Sequence, residues 1–177
     1  TKRAERITAN EEERTRQGYE MQTTIQFGEQ DGRLQVMHSV MKDGDTPVLE
    51  LQYGPAATVW RMNLGWRRRK EKSLLGFMIN PVTGHWVGGA EESGEAEADT
   101  PPDKTPPQRI VPYVEDRRNV LIVRPLEELD VKTMATLQYA LKRGIEAVYQ
   151  LEESELMAEP LPTRDNRQSI LLFEAAE

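Results

Sequence analysis

Cysteine is absent from this 177-residue chain. That excludes a disulfide framework and any zinc site built on thiolates from these residues. Histidine occurs only as His38 and His85. Both fall on strand-like segments without a compact metal-ligand spacing, so each reads as a structural or surface histidine. Long apolar runs are missing too. None approaches the roughly 20 residues needed to span a bilayer, and no signal-peptide pattern opens the chain. Neither the Gly-x-x-x-x-Gly-Lys-Ser/Thr phosphate loop nor the Gly-x-Ser-x-Gly elbow occurs. No core strand offers the Glu-x-Lys pair of a carboxylate-metal nuclease. Asp43 and Asp45 flank Gly44 and read as a solvated turn. Glu115 and Asp116 adjoin Arg117 and Arg118 and read as a charge network. A metal nuclease on these four carboxylates has no constellation behind it. Nothing here indicates catalysis, and no metal or cofactor site is expected in this segment.

What remains is a moderately apolar, acidic chain: 37% hydrophobic residues, 30% charged, and a formal net charge of -7. The apolar deficit is concentrated before residue 17 and between Gly88 and Gln108, which leaves ordinary core density elsewhere. The chain starts at Thr1 rather than Met and stops within the apolar stretch Ile170–Glu177, as expected of a piece of a longer polypeptide. Residues 1–17 pair Glu5, Glu12 and Glu13 with Arg3, Arg6, Arg14 and Arg16 at near-helical spacing, which predicts a charged lead-in helix. Residues 18–177 are expected to form one α+β domain, with a low-complexity acidic insertion over about 88–107. That insertion carries Glu91, Glu92, Glu95, Glu97, Asp99 and Asp103 with four prolines and is predicted to be a disordered loop.

Within the domain the period is first two. Tyr19, Met21, Thr23, Ile25 and Phe27 alternate with polar residues, and Asp31-Gly32 marks a hairpin turn. Further strands are predicted around Leu34–Val40, Val48–Tyr53, Ala57–Leu64, Leu74–Ile79 and His85–Val87. In the Ala57–Leu64 stretch, Trp60, Met62 and Leu64 are the expected core face. Ile110–Val114 and Val120–Val123 are predicted to bracket a polar turn over Glu115–Asn119. Met134, Leu137, Leu141, Ile145 and Val148 then follow at helical spacing behind Asp130, a natural N-cap, which predicts a long amphipathic helix over about 130–151. Gly144 inside it implies close approach by a neighbouring backbone. Strands at Glu153–Ala158 and Ser169–Phe173, separated by a Pro160-Leu161-Pro162 turn, complete a mostly antiparallel sheet.

The most informative feature runs against the overall charge. Trp60-Arg61-Met62-Asn63-Leu64-Gly65-Trp66 leads into Arg67, Arg68, Arg69, Lys70 and Lys72, five positive charges opposed by Glu71 alone. Guanidinium forks grip phosphate and indoles stack on bases, so Arg61, Trp66, Arg67, Arg68, Arg69, Lys70 and Lys72 are the candidate nucleic-acid-binding residues. An acidic protein surface, or the chain's own acidic segment, would answer the same charge. A plain solvated loop is the bland alternative.

Four stretches carry a resemblance: residues 16–24, the run from Pro55 to Arg68, Arg109–Asn119, and Leu137–Gly144. Together they resemble bacterial proteins that carry the MrfA-type zinc-binding domain, formerly a domain of unknown function. They look most like the helicase-partner subunit of the DISARM phage-defence system. Ile170–Glu177 resembles the strand that precedes a glycine-rich turn in this family. The resemblance implies a non-catalytic cytoplasmic protein, partnered by a helicase subunit that hydrolyses ATP and engaging foreign DNA, while a methyltransferase marks the host's own. It places zinc-binding cysteines elsewhere in a longer chain, so no metal ligand carries over. It also implies a scaffold role for the sheet and helix, with the basic tract facing DNA or the helicase. The charge and predicted disorder of the Glu91–Asp103 loop, apart from any resemblance, would let it mimic DNA and occlude a basic channel. The alternative is a purely protein-docking module that binds the helicase without touching DNA.

Overall fold

A computed structural model describes residues 18–87 and 105–175. Ten strands and one helix follow in order: β1 Tyr19–Gln26, β2 Glu29–Gln30, β3 Arg33–Leu34, β4 Met37–Asp43, β5 Thr46–Trp66, β6 Phe77–Ile79, β7 Gln108–Ile110, β8 Tyr113–Pro125, α1 Val131–Tyr149, β9 Leu156–Pro162 and β10 Arg167–Glu174. Six strands make the main sheet, in the order β1-β5-β8-β10-β9 with β4 also on β5. The small pairs β2-β3 and β6-β7 form separate antiparallel ribbons. Two compact units result, one formed by Thr1–Gln22 with Arg61–Val114, the other by Thr23–Trp60 with Glu115–Glu177. Their boundaries fall inside β1, β5 and β8.

The expected pair of helices needs correction. The described residues hold one helix, α1, and make a mostly antiparallel β architecture. The charged helix expected over 1–17 lies outside the described residues. The acidic loop expected over about 88–107 also lies outside the described residues, apart from residues 105–107, which carry no regular structure.

In the second unit the sheet buries both of its faces. On one, Val123, Leu156, Ile170 and Leu172 pack beneath Met134 of α1, flanked by Leu137, Leu141 and Ile145 of the same helix. On the other, Ala57, Val59, Val120, Leu171 and Phe173 form a cluster joined by Ile25, Phe27 and Met157, drawn from residues on or next to strands. Alternation along β10 produces this division: Ile170 and Leu172 point one way, Leu171 and Phe173 the other. All four are less than 5% exposed.

The helix begins where its sequence indicates. Asp130 is extended and its carboxylate accepts the Lys132 and Thr133 amides at 2.8 and 3.1 Å. Gln150 closes the other end in the left-handed conformation. Gln138 fixes the helix to the sheet, donating to the Ala158 carbonyl at 2.7 Å and accepting from Arg167 at 2.8 Å. Two expectations about α1 fail. A Cβ added at Gly144 would meet nothing within 4 Å, so among the described residues no other segment's backbone approaches it. Val148, expected in the apolar stripe, is 74% exposed.

Three predicted breaks are continuous strand. The predicted Val48–Tyr53 and Ala57–Leu64 strands merge into β5, which passes through Gly54-Pro55-Ala56 with Ala56 left-handed at φ 50°. Its amide donates to the Asn119 side chain at 3.2 Å. Leu49 and Leu51 belong to the helix-side cluster, whereas Ala57 and Val59 belong to the other. A regular strand would hold all four on one face, so β5 changes face at Ala56, as a bulge does. The shift explains why Ala57 and Val59, and not Trp60, enter the core. Glu115–Asn119, expected as a turn, is the middle of β8. Its polar residues suit a strand that leaves one side wet. Pro160-Leu161-Pro162 forms the last three residues of β9 rather than a turn after it. β9 closes one end of the sheet order, so a position whose N–H would face away from β10 can be proline without losing a ladder bond.

Candidate nucleic-acid interface

The basic tract begins where β5 ends, in the first unit. Asn63 positions that end: its amide donates to the Pro112 carbonyl at 2.8 Å and its side-chain oxygen accepts the Gly65 amide at 3.0 Å. Gly65 and Gly76 then bring two backbone segments together. Gly76 donates to the Leu64 carbonyl at 2.8 Å. A Cβ at Gly65 would stand 2.8 Å from the Gly76 carbonyl oxygen, and one at Gly76 only 1.9 Å from that of Ile110. Both have positive φ, +99° and +79°. Only glycine supplies that conformation and that clearance.

Between these glycines the chain folds around Arg69. Its guanidinium meets the Glu20 carboxylate at 2.6 Å and the Trp66 carbonyl at 3.0 Å, and reaches the Lys72 carbonyl through two nitrogens at 3.3 and 3.0 Å. The side chain is 6% exposed. Lys72, though exposed, turns its ammonium back onto the Arg67 carbonyl. Glu71 is likewise engaged inside the turn, accepting the Ser73 hydroxyl at 2.7 Å and its amide at 3.3 Å. Those bonds hold its carboxyl below the usual carboxylate range, the hydroxyl contributing most.

The seven candidate residues therefore separate. Arg67, Arg68 and Lys70 are exposed at the turn. Arg67 also reaches the Tyr19 carbonyl at 3.5 Å, and no ion pair forms to Arg67 or Arg68 among the described residues. Arg69 and Lys72 spend their charges on the turn itself. Trp66 is half-buried, and Arg61 lies half-buried further back on β5. The tract is thus an exposed row of cations around an arginine that is structural.

The structure adds aromatic residues that spacing did not indicate. Trp66 stacks on Tyr19 with ring centroids 4.3 Å apart and planes inclined 27°. Tyr19 meets Phe77 edge-on at 5.9 Å, and Phe77 meets Trp86 at 5.0 Å. Four rings from three stretches of chain thus form one row beginning beside Arg67. Trp86 ends it, 51% exposed. Asn80 holds this end in place: it is 4% exposed and its side-chain oxygen accepts the Val82 and Thr83 amides at 2.9 and 3.1 Å. Trp86 then pairs with Ile79. The sequence clue was the Asn80–Gly84 turn between aromatic-bearing strands, which implies a hairpin but not the alignment of Phe77 with Tyr19.

The remaining candidates do not assemble into a reactive site. Asp43 ends β4 and Asp45 lies in the turn before β5. Glu115 accepts the Trp60 indole N–H at 2.8 Å, and Asp116 lies 3.7 Å from Arg118. His38 is exposed and 3.9 Å from Glu50. Among the described residues no group of three or more His, Asp or Glu side chains is arranged to hold a metal ion. No described helix is long and apolar enough to cross a membrane.

No family model and no curated protein matches the chain. Among solved structures it is similar to one described as the crystal structure of the DUF1998 helicase MrfA bound to DNA, at 11% identity and a TM-score of 0.35. The likeness covers 89% of this chain and 18% of that one, so the chain spans less than a fifth of that helicase's length.

Proposed function

We propose that the turn after β5 is a phosphate-contacting surface and that the chain is a non-catalytic, nucleic-acid-binding module of a larger helicase-associated assembly. One observation carries the reading: Arg67, Arg68 and Lys70 stay exposed while Arg69, Lys72 and Glu71 are used to shape the turn that presents them. A turn fixed by a buried arginine is pre-organised, so little loop entropy remains to be lost when its exposed cations bind. Trp66 borders the same turn, and Arg61 lies further back on β5. Arg69 and Lys72 leave the set of contacting residues and become positioning residues.

The helicase partner and the DISARM-type defence setting belong to this proposal through the sequence resemblance alone. The same resemblance supports a cytoplasmic location and zinc elsewhere in a longer chain. Alanine at Arg67, Arg68 and Lys70 is expected to weaken binding of a labelled DNA oligonucleotide, measured by fluorescence anisotropy, at least tenfold at low salt. Unchanged affinity would overturn the reading. If the variant keeps its DNA affinity but fails to co-purify with a helicase subunit, the turn is a protein-docking surface instead.

A further inference from the structure

The aromatic row gives the proposed interface a substrate form, which depends on the turn after β5 contacting phosphate. We infer that the first unit takes unpaired nucleotides, with their phosphates at Arg67 and Arg68 and a base stacked on Trp86. A phosphate-binding turn alone would not distinguish strand forms, because duplex and single strand both present phosphates. An exposed indole does distinguish them. In a duplex the base faces are already covered by their neighbours, and only groove edges are accessible. In a single strand the faces are open, and stacking on an aromatic side chain is tolerant of sequence.

Three observations make Trp86 suited to that role. It is 51% exposed, although tryptophan is a highly buried residue type on average. Its ring leans on Phe77 at 5.0 Å, and Phe77 leans on Tyr19, so the indole is supported from within and little order remains to be gained on binding. The same row ends at Trp66, the residue next to Arg67, so the cations and the stacking surface belong to one unit and one chain of contacts. A ring needed only for packing would be expected to turn inward with Trp66 and Phe77.

The test compares a 15-nucleotide oligothymidylate, an oligouridylate of equal length and a blunt mixed-sequence duplex, each end-labelled and titrated with the full chain. The expected order is either single strand at least tenfold tighter than the duplex. Trp86→Ala is expected to weaken single-strand binding by about 5- to 150-fold, the range of one lost base stack, and to leave duplex binding unchanged. Trp86→Phe should recover part of the loss, which keeps the test valid if alanine disturbs the hairpin. A preference between thymidylate and uridylate assigns DNA or RNA, and either supports the inference. Duplex binding as tight as single-strand binding would overturn it. So would a Trp86→Ala variant with wild-type affinity for both single strands. The underlying phosphate contact fails separately, if Arg67→Ala with Arg68→Ala leaves all three affinities unchanged.

Discussion

Replacing Arg69 with alanine should loosen the basic turn without directly removing a phosphate contact. The wild-type side chain is 6% exposed and serves three acceptors, namely the Glu20 carboxylate and the carbonyls of Trp66 and Lys72. Breaking a buried ion pair typically costs about 3–5 kcal/mol, mostly through the charge left behind. Here the Glu20 side chain is 40% exposed and water can take over part of its solvation, which places the loss near the lower end. Two backbone carbonyls lose charge-assisted donors in the same change. A local cost of about 3 kcal/mol corresponds to a roughly 150-fold larger opening equilibrium constant. The Arg69 amide, bonded to the Trp66 carbonyl at 3.2 Å, reports this directly. Hydrogen exchange should show its protection falling by about that factor, while amides in β10 keep theirs. Arg69→Lys should rescue little, because one ammonium cannot reproduce a fork that spans three acceptors. Unchanged protection would refute the structural role. So would a loss of nucleic-acid affinity equal to that of Arg67→Ala without any change in exchange.

Gly76→Ala combines a left-handed φ with a Cβ placed 1.9 Å from the Ile110 carbonyl oxygen. It should cost more than the roughly 1–2 kcal/mol of a left-handed alanine alone and expose the β6–β7 ribbon to protease. Leu171→Ala removes a side chain with no exposed surface and should lower stability in urea by about 2–5 kcal/mol. The Asp130 carboxyl is held below its usual value, first by the Thr133 hydroxyl and then by the Thr133 and Lys132 amides. Its contribution is therefore complete above the ordinary aspartate range and lost as pH falls through the lowered value. Helical circular dichroism followed from pH 6 to pH 2 should show this loss, and Asp130→Asn, which caps without titrating, should flatten it.

Legibility in the sequence followed the range of the interactions involved. The helix is written locally: Asp130 caps it, and Met134, Leu137, Leu141 and Ile145 keep one face apolar. β1 is equally plain from its alternation. β5 is not, because Gly54-Pro55-Ala56 resembles a break and only the partner strands reveal a bulge that transfers the core face to Ala57 and Val59. β8 runs through charged residues for the same reason: its pairing is decided by strands distant in sequence. Arg67, Arg68 and Arg69 are chemically identical in sequence, and only the path of the turn buries one of them. The aromatic row is least legible of all. Tyr19, Trp66, Phe77 and Trp86 share no spacing and meet only after folding.

The most direct measurement of the central claim is the salt dependence of single-strand binding by wild type and by the Arg67→Ala, Arg68→Ala variant. If both side chains hold phosphates, the slope of log affinity against log salt should become shallower by about 0.7 per arginine, or about 1.4 in all. An affinity loss with an unchanged slope, or no loss of either kind, would contradict phosphate contact at this turn.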